Sequence, residues 1–473
     1  MSKRKGFLFY AYNIPTSGNY KYNGYTYRYG EDFRNAKRFK EYVDCGFDMI
    51  QARGENAFRG GEWEGSNCKL VFDEALKAGC KKLLVTDSRF DQVIRQREIL
   101  GEGKRFQTEE ELDEWVRECV KPYCKRKGFY GIQLLDEPIY AEFPAYFSMV
   151  ASLKRVLPEA YLQCNLLPLD ARTSIISSDE SLWKEMRPDD GLLRHATDFS
   201  GKQDVYEKYV RDFTVGTGLD SILFDEYPFR REYLISGNFL PNYQIVARLC
   251  QELGIEFRVV LQSFSHVTVG VIRNRRMGES DMYWQMNAAL GFGVREFSFY
   301  TYMAKPTFEF AKDGGGEQDG SSFINLDGSN TAMWYDTKRI IKEFKRFAKI
   351  ALGYEYENSY VVCEDGKTAD DFDHTKYLYE KKTCPLKTKV EKGVALVTES
   401  KGEKGKLYMF ENIGNVKEEL FEGAKPMRFT AYLPEGKKKF YFRGKPIKVK
   451  ANADGSYTFS LKVGDAVFAE VRK

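Results

Sequence analysis

Short apolar runs alternate with amphipathic stretches along the first three quarters of the chain. Several of these stretches place apolar residues on one helix face and end in Gly, as helix C-termini often do. The apolar runs are rich in β-branched and aromatic residues and predict eight strands, at residues 6–14, 47–53, 81–88, 128–136, 160–168, 221–229, 257–264 and 295–303. A strand followed by a helix, repeated eight times, predicts a (β/α)8 TIM barrel in the α/β class. An open doubly wound sheet is the competing architecture, but its glycine-rich phosphate fingerprint does not follow the first strand.

The pattern changes after the helical stretch at residues 336–353. Runs such as "GVALVTES", "KLYMFENIG" and "MRFTAYLP" follow, separated by Gly, Asn, Asp and Lys. This pattern is typical of antiparallel hairpins and predicts a small C-terminal β-sandwich. The chain has 473 residues, which exceeds what one hydrophobic core usually organises. We therefore predict a barrel domain over residues 1–354 and a β-sandwich domain over residues 355–473.

Composition argues against several classes of partner. The formal net charge is +4 and no basic stripe is present, so we expect no nucleic-acid binding. No apolar run is long enough to span a bilayer, and the apolar start ends at Asn13 without a small-residue cleavage site. The nine cysteines are scattered without a CxxC pair, which favours free thiols in a reducing compartment. We expect a cytoplasmic protein that binds no membrane; the oligomeric state stays open.

Histidine is scarce, which bears on metal and serine chemistry. The three histidines are His195, His266 and His374. Metal-dependent hydrolase barrels usually need several clustered His ligands. No GxSxG motif is present either. We therefore expect no metal and no cofactor.

Polar and aromatic side chains collect where the predicted strands end. In a TIM barrel the reacting groups lie at the carboxyl ends of the strands and in the loops that follow. Such a ring of carboxylates, amides, arginines and tyrosines indicates a pocket that recognises hydroxyl groups, so the expected partner is a carbohydrate. The candidate substrate-binding residues are Tyr12, Asn13, Arg53, Asp87, Asn165, Glu226, Tyr227, Gln262, Trp284, Tyr300 and Tyr302.

The candidate catalytic residues end strands four and six. Glycoside cleavage needs one carboxylic acid to protonate the departing oxygen and a second group to stabilise or attack the anomeric carbon. We expect Glu137 to be the acid/base, with Asp136 beside it and Asp225 across the opening. Alternation in "ILFDEYPF" places Asp225 and Tyr227 on one face and Glu226 on the other, which favours Asp225. The plainer alternative is that Asp136 or Glu137 caps the next helix.

These residues make the chain similar to clan A glycoside hydrolases, especially the family 42 β-galactosidase-like proteins of gut bacteria. The motifs that carry this resemblance are "LLDEP", "FDEYPF" and "YWQMNAALGFGVREFSFYTYM". The resemblance implies an acid/base role for Glu137. It does not extend to the nucleophile, because strand seven offers Gln262 where clan A has Glu. The adjacent Asp136 and Glu137 also resemble the pair of family 20 and 123 hexosaminidases, where Glu is the acid and Asp steadies the substrate's acetamido group.

The expected activity is therefore that of a glycoside hydrolase. Two alternatives remain from the same residues: a carbohydrate-binding barrel without catalysis, and an N-acetylhexosaminidase that uses the substrate's own acetamido group. A sugar isomerase or lyase is disfavoured, because clusters of metal ligands are scarce.

Overall fold

Eight parallel strands form a closed barrel in the first part of the molecule. The computed structural model describes residues 6–22, 25–28, 31–185, 202–230, 235–265, 267–268, 272–304, 322–414 and 426–473. The barrel strands are β1 (Leu8–Ala11), β2 (Ile50–Ala52), β3 (Leu83–Thr86), β4 (Phe129–Gln133), β5 (Tyr161–Gln163), β6 (Ser221–Asp225), β7 (Glu256–Gln262) and β8 (Glu296–Tyr300).

Two four-stranded sheets make up this barrel. Their orders are β2-β3-β4-β5 and β1-β8-β7-β6. Parallel bridges from Tyr10 to Met49 and from Leu166 to Phe224 join the two sheets at both edges. The predicted TIM-barrel class is therefore confirmed, with each strand beside its neighbour in the sequence and β8 beside β1.

All eight predicted strands contain an observed strand, but most predictions extend too far at the carboxyl end. The run predicted over residues 128–136 ends as a strand at Gln133, and the run over 221–229 ends at Asp225. Apolar burial continues beyond the ladder, since Leu134 and Leu135 are 1% and 3% exposed. Burial alone therefore does not mark where strand pairing stops.

Helices cover the outside of the barrel. Their first and last turns follow sequence signals: Asn35, Ser66 and Thr108 each cap a helix with the side chain, and Gly218 and Gly254 end two others in the left-handed conformation. The helices are α1 (Ala36–Cys45), α2 (Asn67–Lys77), α3 (Ser88–Ile94), α4 (Glu109–Val120), α5 (Phe143–Val156), α6 (Thr173–Ile176), α7 (Gln203–Thr217), α8 (Phe239–Leu253), α9 (Glu279–Gly291) and α10 (Ala332–Ala351).

The barrel interior changes from apolar to polar layers along its axis. An apolar cluster inside the ring contains Leu8, Tyr10, Met49, Leu84 and Val260. A polar layer lies closer to the carboxyl ends of the strands, where Gln51 donates to Gln133 over 2.7 Å and Gln163 donates to the Tyr12 hydroxyl over 3.1 Å. The filled interior leaves the carboxyl ends of the strands as the place for a site.

Two antiparallel sheets follow α10 and pack as a sandwich. The strands are β9 (Glu355–Cys363), β10 (Thr388–Val390), β11 (Val394–Gly402), β12 (Gly405–Asn412), β13 (Met427–Ala431), β14 (Lys437–Phe442), β15 (Lys445–Ile447), β16 (Tyr457–Leu461) and β17 (Ala466–Arg472). The larger sheet has the order β9-β11-β12-β17-β14-β15, and the smaller one β10-β13-β16. Phe410, Phe429 and Phe459 pack between them. We propose a domain boundary between residues 354 and 355, because α10 ends at Ala351 and β9 begins at Glu355.

The sandwich rests directly on the barrel helices. Leu396, Met409 and Phe468 of the larger sheet belong to the same buried cluster as the barrel core. Asn287 on α9 donates to the Gly464 carbonyl over 2.9 Å. Among the helices that the structure describes, none combines the length and apolar character needed to cross a membrane.

Candidate active site

Asp136 and Glu137 lie at the carboxyl end of β4, as the barrel topology requires. The chain after β4 keeps running beside the chain after β5, since Leu134 donates to the Gln163 carbonyl and Glu137 to the Asn165 carbonyl, over 2.9 and 2.8 Å. Glu137 has a φ of 49°. A non-glycine residue in this left-handed region costs on the order of 1–3 kcal/mol, so the surrounding contacts must hold it there. The backbone after β4 is thus fixed in an unusual shape at the two carboxylates.

Arg53 binds Asp136 across the barrel mouth. Its Nη2 lies 2.6 Å from Asp136 Oδ2, and the two side chains are 31% and 26% exposed. The guanidinium also lies 5.6 Å from the centre of the Tyr12 ring. Burial alone would lower the pKa of Arg53, but the charge and hydrogen bond of Asp136 outweigh it and raise that pKa. Arg53 and Asp136 therefore form an ion pair at the barrel mouth.

Asp225 lies deeper at the end of β6. It is 5% exposed, and the Tyr227 hydroxyl donates to its Oδ2 over 2.8 Å. Burial raises the pKa of Asp225 well above its usual range, and the charges of Glu137 and Asp136 raise it further. Hydrogen bonds from Tyr227 and Asn165 act in the opposite direction without cancelling this rise. The ends of β4 and β6 are thus close enough for their carboxyl groups to interact.

Aromatic rings form one wall beside these carboxyl groups. Tyr227 stacks on Tyr300 with ring centres 5.7 Å apart, and Phe264 meets both rings edge-on at 4.9 and 5.2 Å. Tyr12 lies edge-on to Tyr300 at 6.5 Å, and the Asn13 side chain lies beside the Tyr300 hydroxyl. Burial raises the pKa of Tyr300 to about 12. Tyr227 and Tyr300 are therefore neutral hydroxyl groups with flat rings at the mouth, whereas Tyr12 is buried beneath them.

Four buried polar atoms around the carboxyl groups have no hydrogen-bond partner within the described part of the chain. They are Oδ1 of Asp136, Oδ1 of Asp225, Oδ1 of Asn165 and Nδ2 of Asn13. Leaving a buried donor or acceptor unsatisfied costs about 1–3 kcal/mol. Unsatisfied atoms at the carboxyl ends of four barrel strands are suited to a ligand that carries many donors and acceptors.

The structure places two predicted aromatic residues away from the mouth. Trp284 lies on α9, is fully buried and packs against Phe229 and Phe239 in the helix layer. Tyr302 follows the end of β8 and packs among Tyr42 and other core rings. Neither ring is available to stack on a ligand in this arrangement.

Asp87 and Glu226 are held in structural contacts. Asp87 caps α3 and accepts from Arg89 and from the Tyr123 hydroxyl at 2.6–3.1 Å. Glu226 accepts from Asn238 and Asn242 over 2.8 and 3.1 Å. Both carboxylates therefore fix local backbone or helix ends rather than extend into the group around Asp225.

Gln262 on β7 anchors the loop that follows β6. Its amide oxygen accepts from the Phe229 N–H over 2.9 Å, and its amide nitrogen donates to the carbonyls of Phe229 and Phe264 over 3.1 Å. The side chain is fully buried. Gln262 therefore holds the backbone of the loops that follow β6 and β7. His195 and His266 lie outside the described residues.

Asp91 is a carboxyl group near the site that the sequence reasoning missed. It lies on α3, and burial raises its pKa to about 7. The charges of Asp136 and Asp87 raise this pKa further, whereas Arg53 and Arg95 lower it. The second aspartate in "DSRFD", four residues after Asp87, was the available signal. Asp91 therefore belongs to the charged network behind Arg53 and Asp136.

No group of three or more His, Cys, Asp or Glu side chains suited to a metal ion is found within the described ranges.

Comparisons with known proteins identify the fold of the chain but assign it to no family. No family model matches the chain, and no curated protein matches it. Among solved structures, one described as a glycoside hydrolase has 11% identity and a TM-score of 0.51, covering 99% of this chain and 93% of its own. A family 5 glycoside hydrolase from Bacteroides vulgatus has 12% identity and a TM-score of 0.51, covering 99% and 89%.

An α-amylase from Geobacillus thermoleovorans in complex with acarbose has 12% identity and a TM-score of 0.51, covering 99% of this chain and 98% of its own. The family 42 resemblance that the sequence motifs suggested is not confirmed at this level of similarity. What these comparisons show is the fold: the chain shares the TIM barrel and C-terminal β domain of proteins described as glycoside hydrolases.

Proposed function

We propose that the protein is a glycosidase that hydrolyses a glycosidic bond of a carbohydrate at the carboxyl end of its barrel. The observation that carries this proposal is the group of three carboxyl side chains at the ends of β4 and β6, in which the charges of Glu137 and Asp136 raise the pKa of the buried Asp225. Hydrolysis of a glycoside needs two such groups with different protonation states.

The surroundings of the three carboxyl groups support a sugar as the ligand. Tyr227 and Tyr300 are partly exposed and offer flat aromatic surfaces of the kind that pack against sugar rings. Arg53 and the unpartnered atoms of Asn13 and Asn165 supply hydrogen bonds for hydroxyl groups. The fold supports the proposal too, since barrels of this kind place their chemistry at this end.

The proposal is tested by turnover of a panel of 4-nitrophenyl glycosides that includes N-acetylhexosaminides. We expect hydrolysis of at least one member. Asp136→Asn, Glu137→Gln and Asp225→Asn should each lower kcat, and loss of a proton-transfer group typically costs 10²–10⁴-fold. Thermal unfolding of each variant shows whether it remains folded.

Asp220→Asn is a matched control for these variants. Asp220 directly precedes β6, at the opposite end of the barrel, and its side chain is 80% exposed. Its replacement should leave turnover unchanged. Binding of sugars without turnover of any glycoside would contradict the proposal and favour a carbohydrate-binding barrel. Turnover confined to N-acetylhexosaminides, with Asp225→Asn nearly silent, would instead favour the acetamido-assisted mechanism.

A further inference from the structure

Asp136 and Asp225 are the same chemical group in opposite surroundings. Asp136 is partly exposed and forms an ion pair with Arg53. Asp225 is buried, and the groups that hydrogen-bond to it are the neutral Tyr227 hydroxyl and the neutral Asn165 amide. When two carboxyl groups in one site have environments that separate their proton affinities, the more buried one keeps its proton and the paired one stays ionised.

The charges around Asp225 raise its proton affinity further. Glu137 is the neighbour whose charge acts most strongly on Asp225, and Asp136 is the next. A like charge nearby disfavours ionisation, and so does burial. Both effects raise the pKa of Asp225. Asp225 therefore retains its proton at pH values where an ordinary aspartate is ionised.

We infer that Asp225 donates a proton to the departing glycosidic oxygen, and that Asp136, held by Arg53, is the ionised carboxylate that balances positive charge on the anomeric carbon. This inference rests on the proposed glycosidase function. It reverses the assignment that the sequence resemblance implied, in which Glu137 is the acid. Glu137 becomes a positioning residue that acts on the substrate through Asp225.

The reaction balances with these groups and one water molecule. As the bond between the anomeric carbon and the glycosidic oxygen breaks, its electron pair stays on that oxygen, which takes the proton of Asp225. The Asp136 carboxylate stabilises the positive charge left on the carbon. Water then adds its oxygen to the carbon and gives a proton to the Asp225 carboxylate, which restores both groups.

Contacts around Asp225 hold it in place for this role. The ring of Tyr227 is fixed between Tyr300 and Phe264, so its hydroxyl has a defined position on Asp225 Oδ2. Asn165 joins the two strand ends, because its carbonyl accepts from the Glu137 N–H while its side chain hydrogen-bonds to Asp225. The same backbone that holds Glu137 thus also holds the proposed proton donor.

The location of the proton can be tested without a substrate. Infrared spectra at pH 6 show the carbonyl stretch of protonated carboxyl groups. Asp225→Asn should remove part of this band, whereas the control Asp220→Asn should leave it intact. Asp136→Asn should keep the band at low pH and shift its loss to a lower pH, because the charge of Asp136 raises the pKa of Asp225. Loss of the band in Asp136→Asn with no change in Asp225→Asn would overturn the assignment even in an active enzyme.

The catalytic roles are tested by the dependence of rate on the leaving group. A variant without its proton donor keeps activity on glycosides whose leaving group needs no proton. Asp225→Asn should therefore lose 10²–10⁴-fold on phenyl glycosides and far less on 2,4-dinitrophenyl glycosides of the same sugar. Asp136→Asn should lose activity on both.

The Glu137→Gln variant distinguishes Asp225 from Glu137 as the proton donor. It should lower activity equally for both leaving groups and move the basic limb of the pH–rate profile to lower pH, because it removes a charge that raises the pKa of Asp225. If Glu137→Gln keeps its activity on the dinitrophenyl glycoside and Asp225→Asn does not, the assignment of Asp225 as proton donor is wrong. The proposal that the protein is a glycosidase would still stand. If the wild-type protein turns over no aryl glycoside, the proposed function fails, and the catalytic roles fail with it.

Discussion

At the scale of single residues, the chemistry of each carboxyl group follows from its neighbours more than from its position in the sequence. Asp136 and Asp225 both follow a barrel strand, yet one contacts a guanidinium and the other a tyrosine hydroxyl. The strand-end pattern could identify both as candidates, and alternation places Tyr227 on the same face as Asp225, two residues away. It could not predict the partner of Asp136, because Arg53 is 83 residues away in the sequence and only the fold brings it to that carboxylate.

Asp91 should make the free energy of unfolding depend on pH. The folded protein holds its pKa at about 7, whereas an unfolded chain has an Asp pKa of about 4. The folded state therefore keeps a proton that the unfolded state releases between these values. It follows that the free energy of unfolding falls as the pH rises from 4 to 7, by up to roughly 4 kcal/mol from this group.

Asp91→Asn removes that dependence. The variant should gain stability relative to the wild type as the pH rises through this window, and the difference should level off above pH 7. Urea unfolding at pH 4.5, 6 and 8 measures it. Asp365→Asn, on an exposed turn, is the control and should show no such trend. If the stabilities of the wild type and of the Asp91→Asn variant stay parallel at all three pH values, the assigned environment of Asp91 is wrong.

At the scale of elements, apolar runs predicted all eight barrel strands and the change to antiparallel pairing. They could not predict which face an aromatic residue takes once a strand has ended. Tyr300 and Tyr302 share a face by simple alternation, but β8 ends at Tyr300, so Tyr302 turns into the core beside Tyr42. The sequence could not place Trp284 either. Most residues of α9 are buried, so its sequence pattern does not show which side of the helix faces the barrel mouth.

Gln262 should stabilise the fold, because it links β7 to the loop after β6. Gln262→Glu would replace a donor by an acceptor that faces the carbonyls of Phe229 and Phe264. Unsatisfied buried groups of this kind cost about 1–3 kcal/mol each. We expect a loss of about 2–4 kcal/mol in urea unfolding at pH 8 and no gain in glycoside turnover.

Gln251→Glu makes the same chemical change on the exposed face of α8 and should be nearly neutral. Higher turnover in Gln262→Glu would show instead that this side chain reaches the substrate, as the clan A pattern implies for its strand-seven Glu.

At the scale of the whole molecule, the barrel and the sandwich share one buried core. Leu396, Met409 and Phe468 extend the barrel's apolar cluster into the larger sheet. The sequence predicted both domains, but it could not predict this contact, because the alternating pattern of a strand shows that a face is buried and not what covers it. A shared core of this kind should make the two domains unfold together.

Gly464 and Gly455 allow this coupling to be tested with a matched pair. Both have a φ of 81°, so replacement by Ala imposes a similar backbone strain of about 1 kcal/mol at each. A Cβ at Gly455 would meet open space, whereas a Cβ at Gly464 would lie 2.3 Å from the Ser280 carbonyl oxygen on α9. Gly464→Ala must therefore push the sandwich away from the barrel helix.

We expect Gly455→Ala to lower the free energy of unfolding by about 1 kcal/mol and Gly464→Ala to lower it by several kcal/mol more. Circular dichroism and tryptophan fluorescence should both still report one transition if the shared core couples the domains, since all five tryptophans lie in the barrel part of the chain. Two separate transitions in the wild type, or equal effects of the two substitutions, would show that the sandwich folds independently of the barrel.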